Sequence, residues 1–134
     1  MSTIEKYTIK DSGYHPFLIR DGWQVAQLNY DEKRKIENNT RPDIHNHTDE
    51  VLILLKGQAV LITAKLEQRQ PQFELMKPET TYNIPQRTWH NIAMNEGREV
   101  IIVEKSDTHI SDFEFYDLFV EIQYELRDRI RELM

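Results

Sequence analysis

The sequence predicts an all-β fold, an antiparallel sandwich or barrel followed by one C-terminal α-helix. Up to about residue 106 the apolar residues form short runs interrupted by polar residues, glycine or proline, a pattern typical of many short strands. No segment long enough for a crossover helix lies between these runs, which excludes a doubly wound parallel sheet. In the last 24 residues the apolar spacing changes to that of a helix. A chain of 134 residues is expected to form a single domain.

Ten runs have the length and composition of strands, and turn residues such as Asp21-Gly22 separate them. The expected strands cover residues 17–20, 23–30, 34–37, 44–47, 50–56, 58–66, 72–76, 81–84, 90–94 and 100–104. Strand 58–66 is predicted to be buried on one face, because one face carries Val60, Ile62, Ala64 and Leu66 and the other carries the polar residues Thr63 and Lys65. Strand 50–56 is apolar on both faces, which predicts a central strand buried on both sides.

The C-terminal helix is predicted from one apolar stripe and from its first residues. Ser111-Asp112-Phe113-Glu114 matches a capping box, so the helix is expected to begin near residue 112. The predicted organisation is an N-terminal arm at 1–19, a barrel at 20–106 and a helix at 111–134. The stripe has spacings of three and four residues and consists of Phe115, Phe119, Ile122, Leu126, Ile130 and Leu133.

Composition and charge exclude several classes of function. With 17 Lys and Arg against 23 Asp and Glu, the net charge is −6, the wrong sign for binding a phosphate backbone, so we expect no nucleic-acid partner. Cysteine is absent, which leaves histidine and carboxylate as metal ligands. No apolar run approaches the 18 or more residues of a membrane span, and the first residues lack a signal-peptide core. We therefore expect a cytoplasmic protein with no membrane partner.

Two of the five histidines form the pair His45-Asn46-His47. On a strand, residues two apart project from the same face, so both imidazoles would point at one metal ion. Glu50 follows closely at the start of a buried strand, where an ionised carboxylate is costly unless it is paired or bound to a cation. This spacing indicates a metal site with two imidazoles and one carboxylate.

His90 is expected to complete the site. It begins an apolar strand directly after the segment 84–89, which contains Pro85, and a histidine held there can reach the same sheet interior. Three imidazoles and one carboxylate suit Fe, Mn, Ni, Zn or Cu about equally well. His15 and His109 have no partner at ligand spacing and are expected to be ordinary surface or turn residues.

These motifs resemble those of the cupins. The family's first motif has two histidines around one residue, a short spacer, a glutamate, six residues and a glycine, and here His45-Asn46-His47, Glu50 and Gly57 follow that outline. Its second motif has a proline, a turn and a histidine, which segment 84–90 resembles, including a Trp-His pair. The resemblance implies a cupin-like antiparallel β-barrel, or jelly roll. Because the spacer here has two residues, Asp49 is an alternative to Glu50 as the carboxylate ligand.

The sequence favours a metal-dependent enzyme in which one divalent transition metal is held by His45, His47, Glu50 and His90. The metal would act as a Lewis acid or as an O₂-binding centre on a small organic substrate. Two alternatives stay open: a non-catalytic module that binds or senses a small ligand, and a metal-free keto-sugar isomerase or epimerase that uses histidines as acid and base. The wide apolar face of the predicted helix must either pack on the outer wall of the barrel or meet a second copy of the chain, and of the two a homodimer is preferred.

Overall fold

The structure is a computed structural model that describes residues 3–35, 42–65, 70–112, 114–115 and 123–134. It contains ten strands, a 3₁₀ helix at Glu32–Arg34 and two α-helices, α1 at Thr108–Ser111 and α2 at Gln123–Leu133. The strands are β1 Gly13–Arg20, β2 Trp23–Asn29, β3 Asp43–Ile44, β4 Glu50–Lys56, β5 Ala59–Lys65, β6 Gln72–Met76, β7 Thr81–Ile84, β8 Thr88–Met94, β9 Glu99–Glu104 and β10 Glu114–Phe115.

The strands form two five-stranded antiparallel sheets. Sheet 1 has the order β1-β2-β9-β4-β7, and sheet 2 has the order β10-β3-β8-β5-β6. Successive strands repeatedly change sheet, as in a jelly roll, so strands distant in the chain become neighbours: β9 lies between β2 and β4. The predicted fold class, antiparallel β-sheets of jelly-roll type with a C-terminal helix, is confirmed.

Inward-facing residues of both sheets form the main core. Strands β4 and β9 contribute alternate residues, because a residue and the second one after it project from the same face of a strand. Between the sheets lies a buried apolar cluster of Ala26, Leu28, Leu52, Leu54, Ala59, Leu61, Met76, Ile84, Ile92, Met94, Val100 and Ile102. This cluster fixes the spacing of the sheets and therefore the position of every side chain that they carry.

Helix α2 covers the outer face of sheet 2. Its residues Leu126 and Ile130 pack against Val60, Ile62 and Ala64 of β5. Strand β5 is therefore buried on both faces, and the prediction that it is half-buried is wrong. Alternation within one strand cannot show which sheet a distant helix will cover. Among the described helices, none is long and apolar enough to cross a membrane.

Strand β4 is less covered than predicted. Leu52 and Leu54 face the core, but Val51 and Ile53 on the other face are half-buried and Leu55 is 46% exposed. The prediction that this strand is buried on both sides is therefore wrong. The physical reason is that α2 lies on sheet 2, which leaves the outer face of sheet 1 without a covering helix among the described residues.

The predicted start of the C-terminal helix near residue 112 is also wrong. Asp112 ends the short helix α1, and Glu114–Phe115 pair with β3 as strand β10. The carboxylate of Asp112 accepts hydrogen bonds from the distant loop at residues 46–47 and does not cap a helix. Within the described residues the long helix begins at Gln123. Phe119 and Ile122, predicted for the helix stripe, lie outside the described residues.

The first residue of one predicted strand lies in a helix instead. Residues 32–34 form a 3₁₀ helix, so the expected strand at 34–37 does not include Arg34, and residues 36–37 lie outside the described residues. Asp31 caps this helix: its side chain accepts a hydrogen bond of 3.0 Å from the backbone N–H of Lys33. An aspartate before three helix-compatible residues favours such a turn over an edge strand.

Candidate metal and ligand site

One end of the interior between the sheets is polar. Glu50 begins β4, His90 lies near the start of β8 and Glu104 ends β9, and all three side chains are buried. Asp43 of β3 pairs directly with His90, and His45 follows β3 at once. Glu50 and His90 lie near the starts of their strands and Glu104 lies at the end of its strand, and from each of them the inward positions continue as apolar residues towards the core.

The ligand atoms of these side chains converge. His90 Nε2 lies 2.6 Å from Glu50 Oε2 and 3.0 Å from Asp43 Oδ1. His45 Nε2 lies 3.8 Å from Glu50 Oε2, 3.7 Å from Glu104 Oε2 and 4.0 Å from Asp43 Oδ2. Ligand atoms about 2.0 to 2.2 Å from one ion are separated from each other by about 3 to 4 Å. The separations of 3.7 to 4.0 Å around His45 Nε2 suit a shared cation, whereas the 2.6 Å between His90 Nε2 and Glu50 Oε2 is shorter than the separation of two ligands of one ion. Within each of two overlapping groups, Asp43-His45-His90 and His45-Glu50-Glu104, the ligand atoms lie within 4.8 Å of one another.

Both histidines are oriented by backbone carbonyls. His45 Nδ1 lies 2.6 Å from the carbonyl oxygen of Asp112, and His90 Nδ1 lies 3.0 Å from that of Thr88. A carbonyl only accepts, so each Nδ1 carries the proton and donates it. Each Nε2 is then directed towards the carboxylates. This arrangement, in which the second ring nitrogen is fixed by an oxygen, is typical of metal-binding histidine.

The carboxylate oxygens also fit a cation. Glu50 Oε2 is close to His90 Nε2, but the approach lies outside hydrogen-bond geometry, and Glu104 Oε2 is buried without a hydrogen-bond partner in the described part of the chain. A neutral imidazole would place its Nε2 lone pair against a carboxylate oxygen, which is repulsive. Either a proton on the imidazole or a bound metal ion removes that repulsion, so these residues fit a divalent metal.

The electrostatics of the buried pair follow from its geometry. Burial alone would lower the pKa of His90, but the carboxylates of Glu50 and Asp43 raise it to about 10. Burial raises the pKa of Glu50, whereas the adjacent charge of His90 lowers it, and the net direction is downward. The charges of His45 and Arg34 lower the pKa of Glu50 further. Without a metal, the pair is therefore an imidazolium and a carboxylate.

Glu104 is a site residue that the sequence analysis missed. Its Oε1 accepts hydrogen bonds from the Tyr14 hydroxyl at 2.6 Å and from Gln24 Nε2 at 3.1 Å, which leaves Oε2 facing His45. Burial and the nearby charge of Glu50 raise the pKa of Glu104. The sequence carries only a partial signal: Glu104 falls on the same strand face as Val100 and Ile102, but its pairing with Gln24 is a contact between distant strands. Polar residues at buried positions usually have a functional or structural partner.

His47 does not join the cluster. Its side chain is exposed, and its backbone N–H donates to Asp112 Oδ2 at 2.9 Å. The same-face argument for His45 and His47 requires a strand, but β3 ends at Ile44 and both residues lie in the loop that follows. The alternation of strand side chains therefore does not extend to this pair.

Asp49 lies apart from the cluster, and Glu50 lies in it. The two oxygens of Asp49 accept hydrogen bonds from the backbone N–H of Gln86 at 2.9 Å and from Asn83 Nδ2 at 3.2 Å. Asp49 thus ties the start of β4 to the turn between β7 and β8. Glu50 occupies the first inward position of β4 and lies in the cluster.

A cavity of about 260 Å³ adjoins the cluster. Its polar wall includes Tyr14, Arg34 and His109 besides the cluster itself, and its apolar wall includes Leu52, Leu61, Ile92 and Ile102. His109, expected to be an ordinary turn residue, therefore lines the cavity, and its Nδ1 lies 3.2 Å from Gln24 Nε2. His15 is not among the described residues that line this cavity, and its Nε2 lies 2.8 Å from the carbonyl oxygen of Ser12. An apolar pocket with a few convergent polar groups is the usual form of a small-molecule site.

Comparison with known proteins adds the fold family. No family model and no curated protein matches the sequence. Among solved structures, the protein BH2720 from Bacillus halodurans is 17% identical with a TM-score of 0.57, over 79% of this chain and 78% of that one. A cupin-2 domain protein from Shewanella frigidimarina is 18% identical with a TM-score of 0.51, over 72% of this chain and 84% of that one.

A third similar structure is the 3,4-ketoisomerase QdtA from Thermoanaerobacterium thermosaccharolyticum, determined with TDP. It is 14% identical with a TM-score of 0.55, over 81% of this chain and 72% of that one. Identities this low establish the fold and nothing finer. The fold is that of the cupins, as the sequence motifs predicted. The chain is thus a small cupin-fold protein whose histidine and carboxylate cluster could hold a metal.

Proposed function

We propose that this protein is a metal-dependent enzyme that acts on a small organic molecule in the cavity. The observation that supports it is that His45 groups with Asp43 and His90, and also with Glu50 and Glu104, at the polar end of that cavity. Of these residues, His45, Glu50 and His90 are ligands that the sequence predicted. Glu104 takes the place that the sequence assigned to His47, because its free oxygen faces His45 whereas the His47 side chain is exposed.

The chain's own residues would hold the metal and orient the substrate. A bound divalent ion supplies Lewis acidity, which polarises an oxygen of the substrate or binds O₂. The carbonyls of Asp112 and Thr88 hold the two imidazoles in the tautomer that leaves Nε2 available. Tyr14 and Gln24 hold one oxygen of Glu104 and leave the other towards the cluster. The apolar wall excludes water, which strengthens every electrostatic interaction inside the cavity.

Metal content tests this proposal directly. We expect the purified wild type to bind one divalent transition metal, Fe, Mn, Ni, Zn or Cu, and His45→Ala and His90→Ala to lose it. His47→Ala is the matched control, because it removes an imidazole two residues from His45 and should retain full metal content. The measurement is elemental analysis after loading with excess metal. Metal that is retained by His45→Ala and lost by His47→Ala would refute the ligand assignment.

Turnover separates an enzyme from a binding module. The test is a panel of small hydroxy, keto and catechol compounds, assayed for O₂ uptake and isomerisation with metal-loaded wild type and Glu50→Gln. Chelator-sensitive activity that falls in Glu50→Gln supports an enzyme, because the charge of the ligand set tunes the metal. Tight binding of a panel compound without turnover, in protein with full metal content, supports the module that binds or senses a ligand.

A second candidate function is metal-free acid–base isomerisation of a keto sugar. Tyr14, Glu104 and His109 line the same cavity and could move protons without a metal. The fold similarity to a 3,4-ketoisomerase is compatible with this candidate. Isomerisation that persists in chelator-treated protein and disappears in His109→Ala would favour it over the metal-dependent enzyme.

The homodimer remains a prediction. Its basis was the apolar face of the C-terminal helix, and two residues of that face, Leu126 and Ile130, are covered by the chain's own sheet 2. We still expect a dimer, and analytical ultracentrifugation at several protein concentrations measures the state. A monomer at all concentrations would contradict the expectation without affecting the site, whose described residues all come from one chain.

A further inference from the structure

Arg34 brings a permanent positive charge to the cavity. It ends the 3₁₀ helix Glu32–Arg34, whose first turn is fixed by hydrogen bonds to Asp31. Strand β8 pairs with β3 at a single position, His90 with Asp43, and the 3₁₀ helix packs against β8. Of the described residues that line the cavity, Arg34 alone is a lysine or arginine.

The guanidinium of Arg34 makes no salt bridge in the described part of the chain, although its charge acts on Glu50 at longer range. Its Nη1 donates to Asn91 Oδ1 at 2.9 Å, and that oxygen also accepts from the backbone N–H of Ile92 at 2.9 Å. Its Nε is buried without a hydrogen-bond partner. A guanidinium has five N–H donors, so most of its capacity is unused. A partly buried cation in this state gains free energy from any anion that reaches it.

The carboxylates of the same cavity are engaged elsewhere. Asp43 and Glu50 lie against His90, and Glu104 accepts from Tyr14 and Gln24. The neutral amide of Asn91 holds the guanidinium in place without neutralising it. Among the described residues that line the cavity, Arg34 is therefore a cation without a salt bridge, beside carboxylates that contact His90, Tyr14 and Gln24.

We infer that the ligand of this cavity is a small carboxylate, whose anionic group pairs with Arg34 while a second oxygen faces the histidine and carboxylate cluster. The contact of the second oxygen rests on the proposed function, whereas the contact with Arg34 does not. One guanidinium matches one planar carboxylate, and three carboxylates on the walls disfavour a ligand with more negative charge. A cavity of about 260 Å³ has a size that suits a small molecule.

The test compares acids with their amides, which have nearly the same shape and no charge. Glycolate, lactate and 2-oxobutyrate are titrated by calorimetry against Zn²⁺-loaded and metal-free protein, beside glycolamide, lactamide and 2-oxobutyramide. In the wild type we expect at least one acid to bind about tenfold more tightly than its amide, because only the acid forms a charge-assisted pair with Arg34.

Arg34→Gln should abolish that preference, weakening the acid about tenfold or more and leaving the amide unchanged. Lys33→Gln is the matched control, since it removes one positive charge from the same turn at an exposed side chain that does not line the cavity. It should bind the acids as the wild type does. Arg34→Lys keeps the positive charge but loses the paired N–H donors of the guanidinium, so it should retain an intermediate preference for the acid. This variant also tests the contact if Arg34→Gln fails to fold.

Two sets of results overturn the inference. One is a wild type that binds none of the acids, or that binds acids and amides alike. The other is an equal loss of acid binding in Arg34→Gln and Lys33→Gln, which would indicate long-range charge rather than a contact. Metal content is measured in every sample. Acid preference without any metal binding would refute the proposed function and support the Arg34 contact. Full metal content without acid preference would support the proposed function and refute the Arg34 contact.

Discussion

The two ends of the interior are built from the same strands and have opposite chemistry. Along β4 the inward positions are Glu50, Leu52 and Leu54, and along β8 they are His90, Ile92 and Met94. Strand β9 follows the same order from Glu104 through Ile102 to Val100. At one end the sheets enclose close-packed apolar side chains, and at the other they enclose charged groups and a cavity.

This difference separates stability from function within one fold. Buried apolar side chains stabilise the folded state, whereas buried carboxylates and imidazoles are costly unless they are paired. The polar end can carry five ionisable groups only because the apolar end holds the two sheets at a fixed spacing. Substitutions at the two ends should therefore affect different measurements.

The largest effect is expected at the apolar end. Leu54 is 1% exposed, and Leu54→Ala should lower the free energy of unfolding by about 2 to 5 kcal/mol, because the surrounding core closes the resulting cavity only in part. Denaturant titration of the metal-free protein measures this. Leu55→Ala is the matched control: that side chain is 46% exposed, and the loss should be within about 0.5 kcal/mol.

Metal content per folded molecule should stay the same in both leucine variants. If Leu54→Ala lost its metal while still folded, the two ends of the interior would not be separable, and the comparison between them would fail.

A smaller effect is expected from titration at the polar end. The pKa of His90 is raised to about 10 in the folded protein, against about 6.5 when unfolded. Its protonated form therefore stabilises the metal-free fold fully below about pH 6.5, and this contribution is lost as the pH rises through about 10. Metal must displace the same proton, so metal affinity should rise by about tenfold per pH unit up to about pH 10.

Glu50→Gln sharpens this result because it removes the carboxylate closest to His90 Nε2, at 2.6 Å. The pKa of His90 should then fall, since burial lowers it and Asp43 remains as the nearby anion. Measured by NMR titration of the imidazole in metal-free protein, an unchanged pKa in this variant would show that Glu50 does not set the charge of His90.

The sequence predicted the strands of the fold better than it predicted which face of each sheet is covered. Strands β4, β6 and β7 have the predicted bounds, because turn residues and apolar runs are local signals. What failed was non-local. The position of α2 over Val60 and Ile62, and the use of Asp112 by a distant loop, depend on contacts across the chain. The spacing of residues 111–114 matches a capping box whether Asp112 begins a helix or binds a distant loop, so the sequence could not distinguish the two.

The site shows the same limit. His45, Glu50 and His90 could be selected from motif spacing, and the structure brings them together. His47 has the right spacing but lies beyond the end of β3, where side chains no longer alternate. Asp43, Glu104 and Arg34 could not be placed, since they reach the site through pairing of β3 with β8, through β9 and through a 3₁₀ helix.

The smallest effect is expected at Asp112, which joins the site to the C-terminal segment. Its carboxylate accepts hydrogen bonds from the backbone N–H groups of Asn46 at 2.8 Å and His47 at 2.9 Å, and its carbonyl accepts from His45 Nδ1. Burial opposes the charge of this carboxylate, but the two backbone donors outweigh burial and lower its pKa. Asp112 therefore holds the loop that carries His45, without facing the cavity.

Asp112→Ala should lower the free energy of unfolding by about 1 to 2 kcal/mol, the contribution of two hydrogen bonds, and metal affinity by about tenfold, because His45 loses its orientation. Asp112→Asn keeps one acceptor oxygen and should fall between Asp112→Ala and the wild type in both measurements. Asp128→Ala removes an exposed carboxylate from α2 and serves as the control for the change in net charge. If Asp112→Ala changed stability and left metal affinity equal to that of Asp128→Ala, the loop would not position His45. If metal affinity instead rises from Asp112→Ala through Asp112→Asn to the wild type, Asp112 positions His45 from a place 67 residues away in the sequence.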